Sequence, residues 1–228
     1  MYNPIEDVMP LLKDQGFEIS DPWDIVDAFE KIIAKYSGSK YGISCDSCTN
    51  AMFMCLKYLN AKGVITIPNK TYLSVPGLII HAGCQINFTD IEWSGIYQLK
   101  PYPVVDGATR LTKGMYEKDT FHCLSFHIRK ILPICKGGMI LTDDKVAADW
   151  FKLARYEGRD NHISHDKIED IKILGWNFYM PPEQAARGIL LFEKTADNNS
   201  DSGGSWSYAD ISGYSAWGNY IVYGKVVI

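Results

Sequence analysis

The sequence predicts an α/β fold, a mainly parallel open sheet with helices on both faces. Three observations carry this. Short apolar runs of strand length alternate with longer stretches whose apolar residues recur at helical spacing. Strands separated by helices need crossover connections, which favour parallel neighbours. With 228 residues, 46% hydrophobic and 22% charged, the chain can bury a sizeable core and is not disordered.

Asp21-Pro22 starts a helix, with Asp at the cap and Pro in the first turn, where its missing N–H costs nothing. Ile25, Phe29, Ile32, Ile33 and Tyr36 follow at helical spacing, and Gly38 ends the run. Tyr41 to Ser44 reads as a strand and Thr49 to Leu59 as a helix. Val64 to Ile67 is a strand closed by Pro68, and Leu73 to His81 a helix interrupted near Pro76-Gly77. Cys84 to Phe88, Pro103 to Val105, Phe121 to Phe126 and Met139 to Thr142 are further strands. Asp144 to Tyr156 and Pro181 to Lys194 are helices with one apolar face, and Ile171 to Leu174 is strand-like. The composition changes at Thr195. Residues 1–194 therefore read as one α/β domain. Residues 195–228 read as a flexible segment and an aromatic, β-prone tail (Trp206, Tyr208, Tyr214, Trp217, Tyr220, Tyr223), packed on the same domain or on a partner subunit.

The net charge of -4 argues against a nucleic-acid binder, which needs a basic face. No apolar run reaches the ~18 residues of a spanning helix. Met1 to Leu12 carries Glu6 and Asp7 and lacks a signal peptide's basic start, so a cytoplasmic protein without membrane contact is expected. The six cysteines then read as free thiols. Cys45-x-x-Cys48 lacks a second ligand pair at zinc spacing, so no metal is expected.

Open α/β sheets bind ligands beyond the carboxyl ends of their strands. The polar residues there are Ser47-Cys48-Thr49, Asn69-Lys70-Thr71-Tyr72, Asp106-Gly107-Ala108-Thr109 and Ser125 to Lys130. Ser47-Cys48-Thr49 opens a helix and makes a natural phosphate cup, although plain N-capping would account for it alone. An acid and a lysine, each following a strand, usually signify a salt bridge.

In order, however, these segments resemble the DegT/DnrJ/StrS aminotransferases, which use pyridoxal phosphate (PLP) to aminate keto-sugars carried on nucleotides. Ser47-Cys-Thr-Asn-Ala51 is similar to the family's Ser-Gly-Thr-x-Ala. Pro68-x-x-Thr71-Tyr72, Phe88-x-Asp90 and Asp106-Gly-Ala108 follow at the family's places. Ser125-Phe-His-x-x-Lys130 with Gly137-Gly138 is the most specific match, and Gly175-Trp-Asn177-Phe-Tyr-Met180 resembles its Gly-Tyr-Asn-Tyr-Arg-Met. The resemblance covers residues 22 to 194 and implies the large domain of the fold-type I PLP-dependent transferases.

It also implies roles. Lys130 would hold the cofactor aldehyde as a Schiff base and carry the proton in catalysis. Asp106 would pair with the pyridine nitrogen, Tyr72 would stack on the ring, and Thr109 takes the place of a glutamine beside it. Ser47, Cys48, Thr49 and Ser125 would bind the phosphate, with Asn177 reaching it from the neighbouring subunit of a homodimer. The implied partners are a nucleotide-sugar substrate and an amino-acid amine donor. The sequence departs from the family at Cys48, Thr109, Arg129 and Tyr179. A strand with its flanking helices is missing between Asp90 and Pro103, and the aromatic tail stands where the small C-terminal domain is expected. The alternative is therefore a reduced, inactive relative that binds PLP or a partner chain without turnover. A sugar dehydratase, with histidine in the place of Lys130, is a third reading.

Overall fold

The computed structural model describes residues 3–222; Tyr223 and the apolar end of the expected tail lie outside them. Helix α1 (Pro4–Asp14) begins where the Asn3 side chain accepts from the Ile5 N–H, and it buries Val8 and Leu12. It was not legible in the sequence, because only one and a half turns of apolar spacing flank Pro10. Helix α2 (Pro22–Ser37) is capped by Asp21 in a reciprocal box with Asp24 and stops at Gly38, whose φ of 88° is the left-handed cap. The remaining helices are α3 (Cys48–Tyr58), α4 (Ser74–His81), α5 (Lys145–Ala154) and α6 (Pro182–Phe192). Pro76 does not interrupt α4, since it falls in the first turn, where no helical N–H is needed.

The strands are β1 (Tyr41–Cys45), β2 (Val64–Pro68), β3 (Gln85–Thr89), β4 (Tyr97–Gln98), β5 (Val104–Asp106), β6 (Phe121–Ser125) and β7 (Gly138–Thr142). Five form one sheet in the order β1-β7-β6-β5-β4, while β2 and β3 pair separately and in parallel. Thr66 and Lys100 exchange backbone bonds of 2.8 and 3.2 Å, joining the two sheets at one bridge. The sheet is mixed, not mainly parallel: β1–β7, β6–β7 and β4–β5 run antiparallel. The reason lies in the connections. The β4–β5 and β6–β7 links contain no helix, and a short link without a crossover returns the chain antiparallel.

Helices cover both faces, as the alternation requires. Ile140 packs with α3, α4 and α5 on one side, and Met139 and Leu141 with α1, α2 and α6 on the other. Ile171 to Leu174 forms no strand, and the Leu174 side chain is 90% exposed. Residues 195–222 add no edge strand either. They run over the domain in short 3-10 turns, at Ser205–Ser207 and Ser215–Tyr220, with isolated bridges such as Ser94 to Gly204. The Arg110 guanidinium holds Asp201 at 2.8 Å through both Nε and Nη2, and Trp217 is buried.

His122 on β6 is fully buried, and neither ring nitrogen has a partner among the described residues. A Cβ on Gly107 would lie 2.4 Å from its Nε2, so the turn after Asp106 must be glycine to close over the ring. Burial, and secondarily the Arg110 charge, pull its pKa down to about 4. The unfolded chain, titrating near its ordinary 6.5, then binds the extra proton first as pH falls. The stabilisation is complete above pH 6.5 and fades towards pH 4. Urea melts are expected to show a loss of about 2 to 3 kcal/mol between pH 7 and 4.5 from this group. His122→Leu should flatten that limb; an unchanged slope would assign it elsewhere.

Candidate functional site

The carboxyl ends of β1, β2, β5 and β6 open into one cavity of about 950 Å³. It is lined by Ser47, Cys48, Thr49, Tyr72, Asp106, Thr109, Ser125 and Lys130, so eight of the nine residues singled out from the sequence meet there. Each arrives by the same device. An apolar strand ends at the sheet margin, and the next polar residues turn over its edge.

Ser47 caps α3, its Oγ accepting from the Asn50 N–H at 3.2 Å. The capping role and the cup coexist, because the first-turn N–H groups of Cys48 and Thr49 have no acceptor within the helix. Thr49 shares a 2.7 Å hydrogen bond with Ser74, the first residue of α4, which ties the two helix starts together. The chain entering β7 seals the back of the cup. A Cβ on Gly138 would stand 2.3 Å from the Ser47 carbonyl carbon, so only glycine permits this approach.

Asp106 is buried at the end of β5. Oδ2 accepts from the Tyr97 hydroxyl at 2.7 Å and Oδ1 from the Ala108 N–H at 2.9 Å. Burial raises its pKa, while those two donors and the Lys130 charge pull it down. Cys48 fills the glycine place of the family pattern with a buried thiol, its Sγ 4.0 Å from Asp106 Oδ1. Burial drives that thiol well above its ordinary range, so it stays neutral. Lys130 is half-buried in the loop between β6 and β7. The base of that loop is clamped: the Phe126 N–H donates to the Gly137 carbonyl at 2.9 Å, and that of Ile128 to the Cys135 carbonyl at 3.2 Å.

Arg129, Lys130 and Lys136 line the cavity against one carboxylate, Asp106, which favours an anionic ligand. Tyr72 presents a 57% exposed ring at the mouth. The Thr109 hydroxyl proton is shared between the Gly95 and Gly203 carbonyls, at 3.0 and 2.9 Å, so it is not free to donate into the cavity. Asn177 is the ninth residue and stands outside; its amide donates to Glu157 Oε1 at 2.9 Å. Cys45 is buried, its thiol held on the Ser47 carbonyl at 3.2 Å, and no disulfide joins it to Cys48.

Several wall residues escape the sequence pattern. Trp93, Ser202, Gly203, Ser207 and Tyr208 line the cavity, and Trp93 stacks on Tyr208 at 5.8 Å. Burial, and secondarily the Asp106 charge, push the Tyr208 hydroxyl up to about 12. The only signal for them was aromatic content in segments without periodicity. Among the described residues, no helix is long and apolar enough to cross a membrane.

The DegT/DnrJ/EryC1/StrS aminotransferase family profile matches residues 12–116 and 106–202. A spore coat polysaccharide biosynthesis protein, SpsC of Bacillus subtilis, is 27% identical over 75% of this chain and 57% of its own. The chain spans 56 to 62% of the length of the curated relatives it matches. The sugar aminotransferase CalS13 of Micromonospora echinospora has the same fold, with a TM-score of 0.63 and 16% identity over 86% of this chain and 66% of that one. So does a GDP-4-keto-6-deoxymannose-3-dehydratase with a trapped PLP-glutamate geminal diamine, at a TM-score of 0.62 and 16% identity over 85% of this chain and 66% of that one. With the family profile spanning most of its length and the motif residues gathered at one cavity, the chain belongs to the DegT/DnrJ/EryC1/StrS aminotransferase family.

Proposed function

We propose that this protein is a PLP-dependent aminotransferase acting on a nucleotide-linked keto-sugar, working in the cytoplasm and supplying amino sugar for a polysaccharide. One observation carries the reading: a lysine, a buried carboxylate and an open helix start share a single cavity. The residues fit the cofactor. A dianionic phosphate suits the α3 N-terminus with Ser47, Thr49 and Ser125, and the cationic rim adds to it. Asp106 keeps lone pairs free after accepting from Tyr97 and Ala108, enough for a ring N–H. Bound PLP supplies an electron sink for a carbanion. The protein's share is to hold the ring nitrogen's proton on the Asp106 side and to carry the substrate proton on Lys130 Nζ. Trp93, Tyr72 and Tyr208 supply an aromatic wall to the cavity. With both ionisable residues present, the inactive alternative is not favoured.

Asn177 does not line its own cavity, which leaves room for the role the resemblance gives it, on the phosphate of a second subunit. We therefore read the protein as a homodimer. Purified protein mixed with PLP is expected to turn yellow, and light scattering to give a dimer. Asn177→Ala should weaken PLP binding with the fold intact. A colourless protein would end the aminotransferase reading, and a monomer that holds PLP tightly would end the shared site.

A further inference from the structure

The segment between Asp90 and Pro103 contains two tyrosines that the mechanism above does not use, Tyr97 and Tyr102, and Tyr97 is the one that meets Asp106. Tyr97 lies on β4, two residues long, which pairs antiparallel with β5 so that Tyr97 stands opposite Asp106. It is buried behind the carboxylate and does not line the cavity. Its hydroxyl reaches Asp106 Oδ2 at 2.7 Å and Thr71 Oγ1 at 2.5 Å. An ionised carboxylate only accepts, and a phenol has one proton to give. The Tyr97 proton therefore goes to Asp106, and the Thr71 hydroxyl must donate to Tyr97. The order runs Thr71 to Tyr97 to Asp106, with every proton assigned.

Resting on the aminotransferase reading, we propose that Tyr97 is the positioning residue of Asp106, holding its carboxylate ionised and fixed in plane towards the cavity. Without it Oδ2 has no donor, and the buried acid keeps only the Ala108 N–H and the weak Cys48 thiol, both on Oδ1. Burial favours the protonated acid, and Tyr97 is the largest influence opposing it. The other titratable groups near Asp106 are Cys48 at the start of α3, Cys123 on β6, Lys130 on the following loop and Tyr208. Burial holds both thiols and the Tyr208 phenol neutral, so Lys130 and Tyr97 are the neighbours that stabilise the charge. The ring of Tyr97 is also wedged edge-on against Trp93 at 4.7 Å, which fixes the hydroxyl's direction.

The test is Tyr97→Phe, read first without cofactor. Carboxylate carbon NMR of the whole protein, with Asp106 assigned by its loss in Asp106→Asn, should show the Asp106 midpoint rise by about one pH unit or more. Thr71→Val should raise it by less, and serves as the second variant if Tyr97→Phe does not fold. A midpoint unmoved in the folded variants overturns the proposal. PLP titration then gives a coupling: Tyr97→Phe should weaken binding about tenfold in the parent and not at all in Asp106→Asn. Equal weakening in both backgrounds means Tyr97 is only structural, and the proposal falls. A parent that binds no PLP removes the aminotransferase reading, while the NMR midpoint still decides the Tyr97–Asp106 relation.

Discussion

Lys130→Ala is expected to leave a folded protein that binds PLP but no longer fixes it. Borohydride reduction of the parent with PLP should place the label on the peptide containing Lys130, and the variant should lose it. The half-reaction with L-glutamate, followed by absorbance, should slow by about 10³-fold, as when a positioned proton carrier is removed. Stability should barely change, because the side chain is half-buried on a loop and holds no salt bridge among the described residues. Lys136 also lines the cavity, 3.3 Å from Asp46, and is the natural competitor. Persistence of the label on Lys136 in the variant would overturn the assignment.

Arg155→Met is expected to have the largest effect on stability. Beneath the cup, the Arg155 guanidinium donates to Glu30 Oε1 and, at 2.7 Å, to the Ser44 carbonyl. Glu30 Oε1 also accepts from the Ser44 N–H and hydroxyl, both at 2.8 Å. Both charges are buried, and Lys152 is 3.8 Å from the other Glu30 oxygen. Removing the arginine strands a buried carboxylate, which costs about 3 to 5 kcal/mol. Glu30→Gln with Arg155→Met should recover part of this, since the stranded charge goes while the amide oxygen still accepts from Ser44. Urea melts of the three proteins check it; equal stability of parent and single variant would show the network to be expendable.

The polar half of the site was legible because its residues lie at, or within five residues of, the end of an apolar strand. The strand ends fell within a residue or two of their expected places, and the resemblance to the family singled out Ser47, Asp106, Ser125 and Lys130 there. Tyr97 was not legible, since a two-residue strand leaves no alternation to detect. Tyr208 and the Glu30–Arg155 pair were hidden for another reason: their partners are remote in sequence, Arg155 lying 125 residues from Glu30. The mixed sheet shows the same limit. Apolar runs mark strands but not their direction, which depends on whether the intervening link crosses over.

The dependence of the cavity wall on residues 201–208 has a consequence for when the site comes into being. Arg110 meets Asp201 across 91 residues, Ser205 meets Glu92 across 113, and Asn69 meets Asp210 across 141. Such distant contacts form late, after local helices and neighbouring strands have settled. During synthesis the phosphate cup and Lys130 therefore exist while the pocket is still open on its Trp93 side, and the enclosure closes only once Tyr208 has left the ribosome. Ligand affinity is expected to arrive in two stages, anion binding first and the aromatic wall second, within a single folding event.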